Sequence, residues 1–473
     1  MSAAFLKGCD EFYGGKEMSV SHEAHWDRLG EFVTKVMKQK GVPGVAVGIL
    51  HKGETATAGY GVTNVDHPLP ITGETLFQIG SITKTFTGTA IMRLVEMGKL
   101  DLDATVRAYV PDFKVVDEAA ASQATIRHLL THVGGWVGDY FDDTGAGDDA
   151  LAKYVANMAD LEQLAPLGTV WSYNNASFSL TGHIIEVVTG QSYQAALKEL
   201  VLEPLGLRNV YFDPGDVMTY RFAVGHNVTE EGPEVARPWP LPRSAYPAGG
   251  ITCHVQDLLR YARFHLGDGR VEDETQLLRP ESITLMQSPQ VTIWGEKETM
   301  GLSWFLGDVS GVRKVWHGGG TTGQVSQLLL IPERGFAIAI LTNADQGGFV
   351  TREVSRWALK QFLGLEVPDP APIESSEEEL APYVGRYRRP FADIELGILG
   401  GKLVGQMTFK GGFPTRDSPP PPPPPPMSLA LCERDRLLVL DGPYKDARAE
   451  IIRKPDGSIG WLRANWRIHP REA

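Results

Sequence analysis

The sequence predicts an α/β protein of the α+β kind: an antiparallel sheet flanked by helices, with an inserted all-helical region, followed by a small C-terminal antiparallel β-barrel. Three observations lead there. A helical pattern over 21–40 runs into two strand-like segments, 45–50 and 55–62, joined by the turn His51-Lys52-Gly53-Glu54, and a helix followed by a hairpin begins a helix-covered sheet. Strand patterns resume only after Gly301, at about 301–306, 313–317, 324–331 and 335–342, so helical material from roughly 100 to 300 separates two strand-rich parts that one sheet can unite. Beyond a Pro- and Glu-rich linker at 364–380, short β-rich stretches follow one another with Gly-containing turns, the pattern of a small barrel.

The elements follow in order. Residues 1–20 read as a loose leader. The helix over 21–40 carries Trp26, Leu29, Phe32, Val33, Val36 and Met37 on one face, and Gly41-Val42-Pro43-Gly44 ends it. A helix over 83–97 shows a core-facing stripe of Phe86, Ala90, Leu94 and Met97, with Gly98 as its stop. Residues 138–149, with Asp139, Asp142, Asp143, Asp148 and Asp149, read as a mobile, solvated loop near the cleft; their spacing is not that of a Ca²⁺ loop. Helices are expected at 151–164, at 176–188 with Gly190 as C-cap, at 192–202, 255–266 and 350–362. Residues 211–248 are proline-rich without periodicity and read as a long loop. In the tail, Tyr383-Val384-Gly385-Arg386-Tyr387 opens a strand, and 394–399, 402–407, 428–431, 436–440, 449–452 and 461–464 continue the set. The tract Pro419–Pro426 must leave the sheet as an exposed polyproline II loop. The expected division is a leader at 1–20, a first domain at 21–363, a linker at 364–380 and a barrel domain at 381–473.

Composition excludes some classes. The 473 residues carry a net charge of −13, which argues against nucleic acid or an anionic membrane as partner. Cys9, Cys253 and Cys432 form neither a disulfide framework nor a zinc pattern. Cys253 stands beside His254 in sequence and reads as a buried neutral thiol. His128 and His132 have the i, i+4 spacing of zinc ligands but lack an intervening glutamate and a third ligand, so a structural role is expected and no metal or cofactor is called for. The N-terminus has no apolar signal region, and no run of eighteen apolar residues occurs. A cytoplasmic location is the expectation.

The chemistry begins at Phe77-Gln78-Ile79-Gly80-Ser81-Ile82-Thr83-Lys84. Gly80 ends an extended segment and Ser81 opens a helix. Positions three apart share a helix face, so the Ser81 hydroxyl and the Lys84 amine can meet. A serine hydroxyl needs a base to become a nucleophile, and a desolvated lysine can be that base. Backbone N–H groups at the helix start can receive an oxyanion. Further on, Tyr173-x-Asn175 sits on a loop at a helix start, where Asn175 can either cap the helix or face a cleft. His317-Gly318-Gly319-Gly320 lies between two strand segments.

Ser81-x-x-Lys84, Tyr173-x-Asn175 and His317-x-Gly319, in that order and spacing, resemble the serine β-lactamase and penicillin-binding-protein family. The branch is that of class C β-lactamases, D-alanyl-D-alanine peptidases and carboxylesterases. The likeness covers about 20–363, supported by Leu129-Leu130-Thr131-His132 and Leu202-Glu203-Pro204-Leu205-Gly206-Leu207. The tail resembles the lipocalin-like domain that some relatives carry. The resemblance implies Ser81 as acylated nucleophile, with Lys84 accepting its proton or holding Tyr173 ionised. Tyr173 would relay protons to the leaving group and activate the deacylating water. Asn175 would bond Lys84 and the acyl side of the substrate. The N–H groups of Ser81 and Gly320 would form the oxyanion hole, and Gly318 and Gly319 would let the strand approach the ligand.

His317 departs from the family, which usually has lysine there. A histidine is mostly neutral at pH 7, which favours neutral esters or amides over substrates with a free carboxylate. The expected activity is a cofactor-free serine hydrolase acting on carboxylic esters. Alternatives are a D-aminopeptidase or D-alanyl peptidase, a class C-like β-lactamase, or a catalytically silent binding protein. The expected partner is a small ester, amide or lactam, with neither nucleic acid nor membrane, and oligomers are left open. An α/β-hydrolase esterase is excluded, because no G-x-S-x-G elbow occurs.

Overall fold

The computed structural model describes residues 20–272, 274–294 and 298–472. Most of the expected leader, with Cys9, lies outside them. Helix α1 (Val20–Lys40) leads into strands β1 (Gly44–His51) and β2 (Glu54–Gly61). After the insertion come β3 (Val291–Trp294), β4 (Glu298–Met300), β5 (Phe305–Val309), β6 (Val312–Thr321), β7 (Gln324–Ile331) and β8 (Phe336–Thr342). They form one eight-stranded antiparallel sheet in the order β2-β1-β8-β7-β6-β5-β4-β3. The two strand-rich parts of the chain meet where β1 pairs with β8, Val47 opposite Ile340.

Both faces of this sheet are covered, which is why β1 and β8 are buried along their whole length and read as continuous apolar runs. On one face α1 and the helix Gly347–Leu363 bury Val45, Val47, Ile338 and Ile340 against Leu29, Val33, Val350 and Val354. On the other, Ala46, Leu50, Leu328 and Ala339 join the core made by the inserted helices.

The inserted region holds α2 (Thr83–Glu96), α3 (Asn175–Thr189) and α4 (Val255–Leu266). Phe86, Ala90, Ile91 and Leu94 of α2 are buried, which pins the helix start. Met97, expected in that stripe, is 48 % exposed because the helix ends at Glu96 and the chain turns away. The region also contains a three-stranded sheet of Phe77–Gln78, Thr252–Cys253 and Val210–Tyr211, and a hairpin of His226–Val228 with Pro233–Val235. Strands of two or three residues are too short for a readable period, so 211–248 reads as loop in the sequence.

The tail is a barrel of eight antiparallel strands in sequential order: β9 (Gly385–Arg388), β10 (Ala392–Leu399), β11 (Lys402–Phe409), β12 (Met427–Glu433), β13 (Arg436–Val439), β14 (Arg448–Arg453), β15 (Ile459–Ala464) and β16 (Arg467–Pro470). A bridge between Tyr387 and Arg471 brings the last strand back to the first and nearly closes it. The barrel has a core of its own around Tyr387, Leu403, Leu437 and Leu462. Pro419–Pro426, between β11 and β12, is mostly exposed.

Candidate active site

Ser81 sits in a single 3₁₀ turn, Gly80–Ile82, that runs directly into α2. Gly80 has φ +50°, and a Cβ there would lie 2.6 Å from the backbone nitrogen of Gly320. The turn is thus pressed against β6. Gly319 is needed for the same contact: its missing Cβ would lie 1.9 Å from the Ile79 carbonyl oxygen. The expectation from the sequence is that this missing side chain serves ligand approach, whereas the close neighbour is the turn that carries Ser81.

Lys84, the second residue of α2, is fully buried. Its Nζ donates to Ser81 Oγ at 3.0 Å, Asn175 Oδ1 at 2.8 Å and the Ala248 carbonyl at 2.6 Å. Burial drives the Lys84 ammonium well below the usual lysine range, with the Arg467 guanidinium adding to it and the Asp139 carboxylate opposing.

Asn174, not Asn175, caps α3 by accepting from the Ser177 N–H, which frees Asn175 to face the cleft. Tyr173 is 6 % exposed, and its ring stacks on His132 at 4.5 Å. Its hydroxyl lies against Ser81 without a well-formed hydrogen bond. Burial raises the phenol above its ordinary value, opposed by Ser81 and by Arg467. His132 Nδ1 accepts from the Asn174 N–H, and His128 closes a capping box with Thr125, so both histidines have the structural roles expected.

His317, on β6, is 1 % exposed and pushed down to about 3, first by burial and then by Lys84. Its Nδ1 bonds the Gly318 carbonyl at 2.6 Å, and since a carbonyl only accepts, Nδ1 carries the proton. Nε2 is therefore a buried acceptor with no partner. Ser81, Tyr173, Asn175 and His317–Gly320 all line one cleft of about 800 Å³.

Two contributions to this cleft carry no signal in the sequence. The first is Asp139. The acidic loop reads as solvated, and Asp143, Asp148 and Asp149 are exposed, but the Asp139 side chain is only 4 % exposed. It accepts from Asn175 Nδ2 at 3.0 Å, from Arg389 at 2.7 Å and from Arg467 Nε at 3.1 Å. Burial alone would raise its carboxyl; the two guanidiniums outweigh that and hold it well below the usual carboxylate range. Asp142 is also buried, paired with Arg416 at 3.1 Å and bonded by Asn157.

The second is the reach of the barrel into the cleft: the barrel is expected from the sequence, its contacts there are not. The β15–β16 hairpin lies along the segment leading to Tyr173: Trp461 Nε1 donates to the Leu164 carbonyl at 2.8 Å, Arg463 to the Trp171 carbonyl at 3.0 Å, and the Ile468 N–H to Ser172 Oγ at 3.2 Å. Its two-residue turn, Asn465-Trp466, has positive φ at both positions, +46° and +66°. That is usual for Asn but strained for Trp. The Trp466 ring fills the space beside Phe305 (5.3 Å), Trp171 (5.9 Å) and Trp316 (6.3 Å), and the Arg467 guanidinium lies 4.8 Å from the Tyr173 ring. From the β9–β10 turn and the β11–β12 loop, Phe391 and Phe413 pack edge-on against Phe141 at the cleft wall.

The sequence pattern of the beta-lactamase family matches residues 29–361. The chain belongs to that family. Penicillin-binding protein 4 of Amycolatopsis lactamdurans is 36 % identical over 375 residues, which is 77 % of this chain and 97 % of the relative. Among solved structures, the octameric penicillin-binding protein homologue from Pyrococcus abyssi superposes with a TM-score of 0.65 at 26 % identity, covering 94 % of this chain and all of that one. SurE superposes at 0.75 with 23 % identity, covering 95 % of this chain and all of SurE. That likeness speaks for the fold alone and extends over the barrel. As a family member the chain is a serine hydrolase of the β-lactamase and penicillin-binding-protein type.

Proposed function

We propose that the protein hydrolyses carboxylic esters through an acyl-enzyme on Ser81, using a domain over 21–363 completed by the lipocalin-like barrel at 381–473. The supporting observation is the buried Ser81–Lys84 pair at 3.0 Å: burial lowers the Lys84 ammonium well below the usual lysine range and so favours the neutral amine, the form that can take the serine proton. Ser81 Oγ attacks the acyl carbonyl while its proton passes to Lys84 Nζ. The oxyanion rests on the N–H groups of Ser81 and Gly320. The bond to the alcohol breaks, the alcohol leaves with a proton relayed by the Tyr173 hydroxyl, and water then cleaves the Ser81 ester by the reverse relay. Asn175 holds Lys84 and the acyl side. His317 offers a neutral acceptor where a carboxylate would want a cation, which supports uncharged esters. This reading includes a cytoplasmic location and leaves room for assembly, as in the octameric homologue. Among the described residues no helix is long and apolar enough to cross a membrane.

A second reading has one observation in its favour. Arg389 and Arg467 face a single carboxylate, Asp139, so the cleft wall keeps surplus positive charge that suits a peptide-type or lactam substrate bearing an anionic group. The likeness to penicillin-binding protein 4 points the same way.

Intact-protein mass after brief exposure to a short-chain p-nitrophenyl ester, for the wild type and Ser81→Ala, tests the first reading. An acyl adduct present only in the wild type supports it. Untouched esters, with turnover of a D-amino-acid amide or a cephalosporin, would replace it with the second.

A further inference from the structure

Asn175 has an amide that can face either way, and its neighbours decide which. Its Oδ1 accepts from Lys84 at 2.8 Å while its Nδ2 donates to Asp139 at 3.0 Å. A pure acceptor on one side is what turns the amide oxygen toward the lysine on the other. Asp139 is itself gripped from the barrel. Arg389 holds one oxygen at 2.7 Å, and Arg467 forks onto the carboxylate through Nε at 3.1 Å and Nη2 at 3.1 Å. Arg467 also lies over Tyr173, on whose ring Lys84 sits at 4.9 Å.

We infer that Asp139 and Arg467 are positioning residues that act with opposite sign on Lys84 and Tyr173, so that the barrel is part of the catalytic unit. The inference rests on the reading of Ser81, Lys84 and Tyr173 as the reacting set. The charged groups around that set are Asp139, Arg389 and Arg467. The remaining titratable neighbours, His132, His317 and His469, are buried with their imidazoles held neutral, and Asp142 is matched by Arg416. The Asp139 charge favours the ammonium on Lys84 and opposes a phenolate on Tyr173; Arg467 does the reverse at both. Whichever of the two accepts the serine proton, loss of Asp139's charge makes it the stronger acid and loss of Arg467's charge the weaker one.

The test uses the full chain as wild type, Asp139→Asn, Arg467→Gln and Arg467→Lys. The first readout is the pH dependence of Ser81 modification by a fluorophosphonate, a probe that needs the base but no particular substrate. We expect the acidic limb to move down by about one pH unit in D139N, up by about one in R467Q, and to stay in place in R467K. The second readout needs no reaction at Ser81: the Lys84 ammonium is followed by the ¹³Cε shift of lysine-labelled protein, assigned by its loss in Lys84→Met, and it deprotonates at lower pH in D139N and at higher pH in R467Q. Slower modification with unmoved limbs, or limbs moving in the same direction, would overturn the inference. If R467Q does not fold, Arg467→Met, which also removes the charge but keeps an aliphatic stem, supplies the Arg467 arm of the same comparison. Ordered Lys84 titrations in a protein that ignores the fluorophosphonate would sink the proposed function and with it the catalytic part of the inference, leaving only the opposed effects of Asp139 and Arg467 on Lys84.

Discussion

The backbone N–H of Tyr173 donates to the backbone carbonyl of Trp466 at 2.8 Å. A motif residue on the loop before α3 is thereby hydrogen-bonded to the tip of a barrel hairpin. Trp466 holds a left-handed conformation that costs about 1–2 kcal/mol for a residue with a Cβ, and such strain collects where function over-determines the backbone.

Replacing Trp466 by glycine relieves that strain and removes an aromatic wall beside Phe305 and Trp171. The two effects offset in stability, so we expect the melting temperature to stay within a few degrees while kcat/KM for an ester falls about tenfold. Calorimetry and ester kinetics on W466G check this. A large drop in melting temperature with normal kinetics would reduce Trp466 to a packing residue.

Lys84 is a buried amine without a carboxylate in direct contact, its partners being a hydroxyl, an amide oxygen and a carbonyl. Lys84→Met keeps the volume and removes the desolvation cost. The expected outcome is equal or higher thermal stability with acylation of Ser81 slowed by about 10²–10⁴. Stopped-flow acylation alongside thermal melting separates the two, and a destabilised K84M with near-normal acylation would remove the lysine from the mechanism.

His317 titrates near 3 in the folded chain and near 6.5 unfolded. The unfolded state therefore binds the extra proton first as pH falls. The stability contributed by a neutral His317 is complete above about pH 6.5 and is lost progressively from there toward pH 3. The rate profile should show no limb near 6.5 arising from this residue, and His317→Asn should flatten the acid loss of stability. Denaturant melts across pH 3–8 on both proteins decide it. Introducing a permanent cation with His317→Lys should raise acylation by penicillins relative to neutral esters.

A methyl group at 319 has nowhere to go, since the obstacle is the backbone oxygen of Ile79. Gly319→Ala should cost about 1–3 kcal/mol through overpacking and push the Ser81 turn off β6, depressing acylation more than substrate binding. If G319A retains full kcat, the contact between turn and strand does not set the geometry of Ser81.

Much of this was legible in the residues. β1, β7 and β8 are long apolar runs bounded by turns, and α2, α3 and α4 have readable stripes and stops, so the sheet unit could be drawn from periodicity. Ser81 with Lys84, Tyr173 with Asn175, and His317 with its glycines are short-range patterns whose spacing encodes their geometry. Asp139 could not be found that way. A carboxylate in a Gly- and Asp-rich loop looks solvated until the guanidiniums that bury it are known, and those come from Arg389 and Arg467. The strand that holds Arg467 is four residues long and reads as no strand at all. His132 stacks on Tyr173 from a separate loop, a contact with no local trace.

The ion pair between Asp139 and Arg467 spans 328 positions of chain. A ribosome adding roughly 5–20 residues per second takes tens of seconds to cover that distance. Once Asn175 has been added, the nascent chain holds the serine, the lysine, the tyrosine and the carboxylate, but the guanidiniums that grip that carboxylate come 250 positions after it, at Arg389, and 328 after it, at Arg467. On the proposed reading of Ser81, the chain therefore carries its reacting side chains long before the barrel hairpin that completes their charged surroundings has been translated.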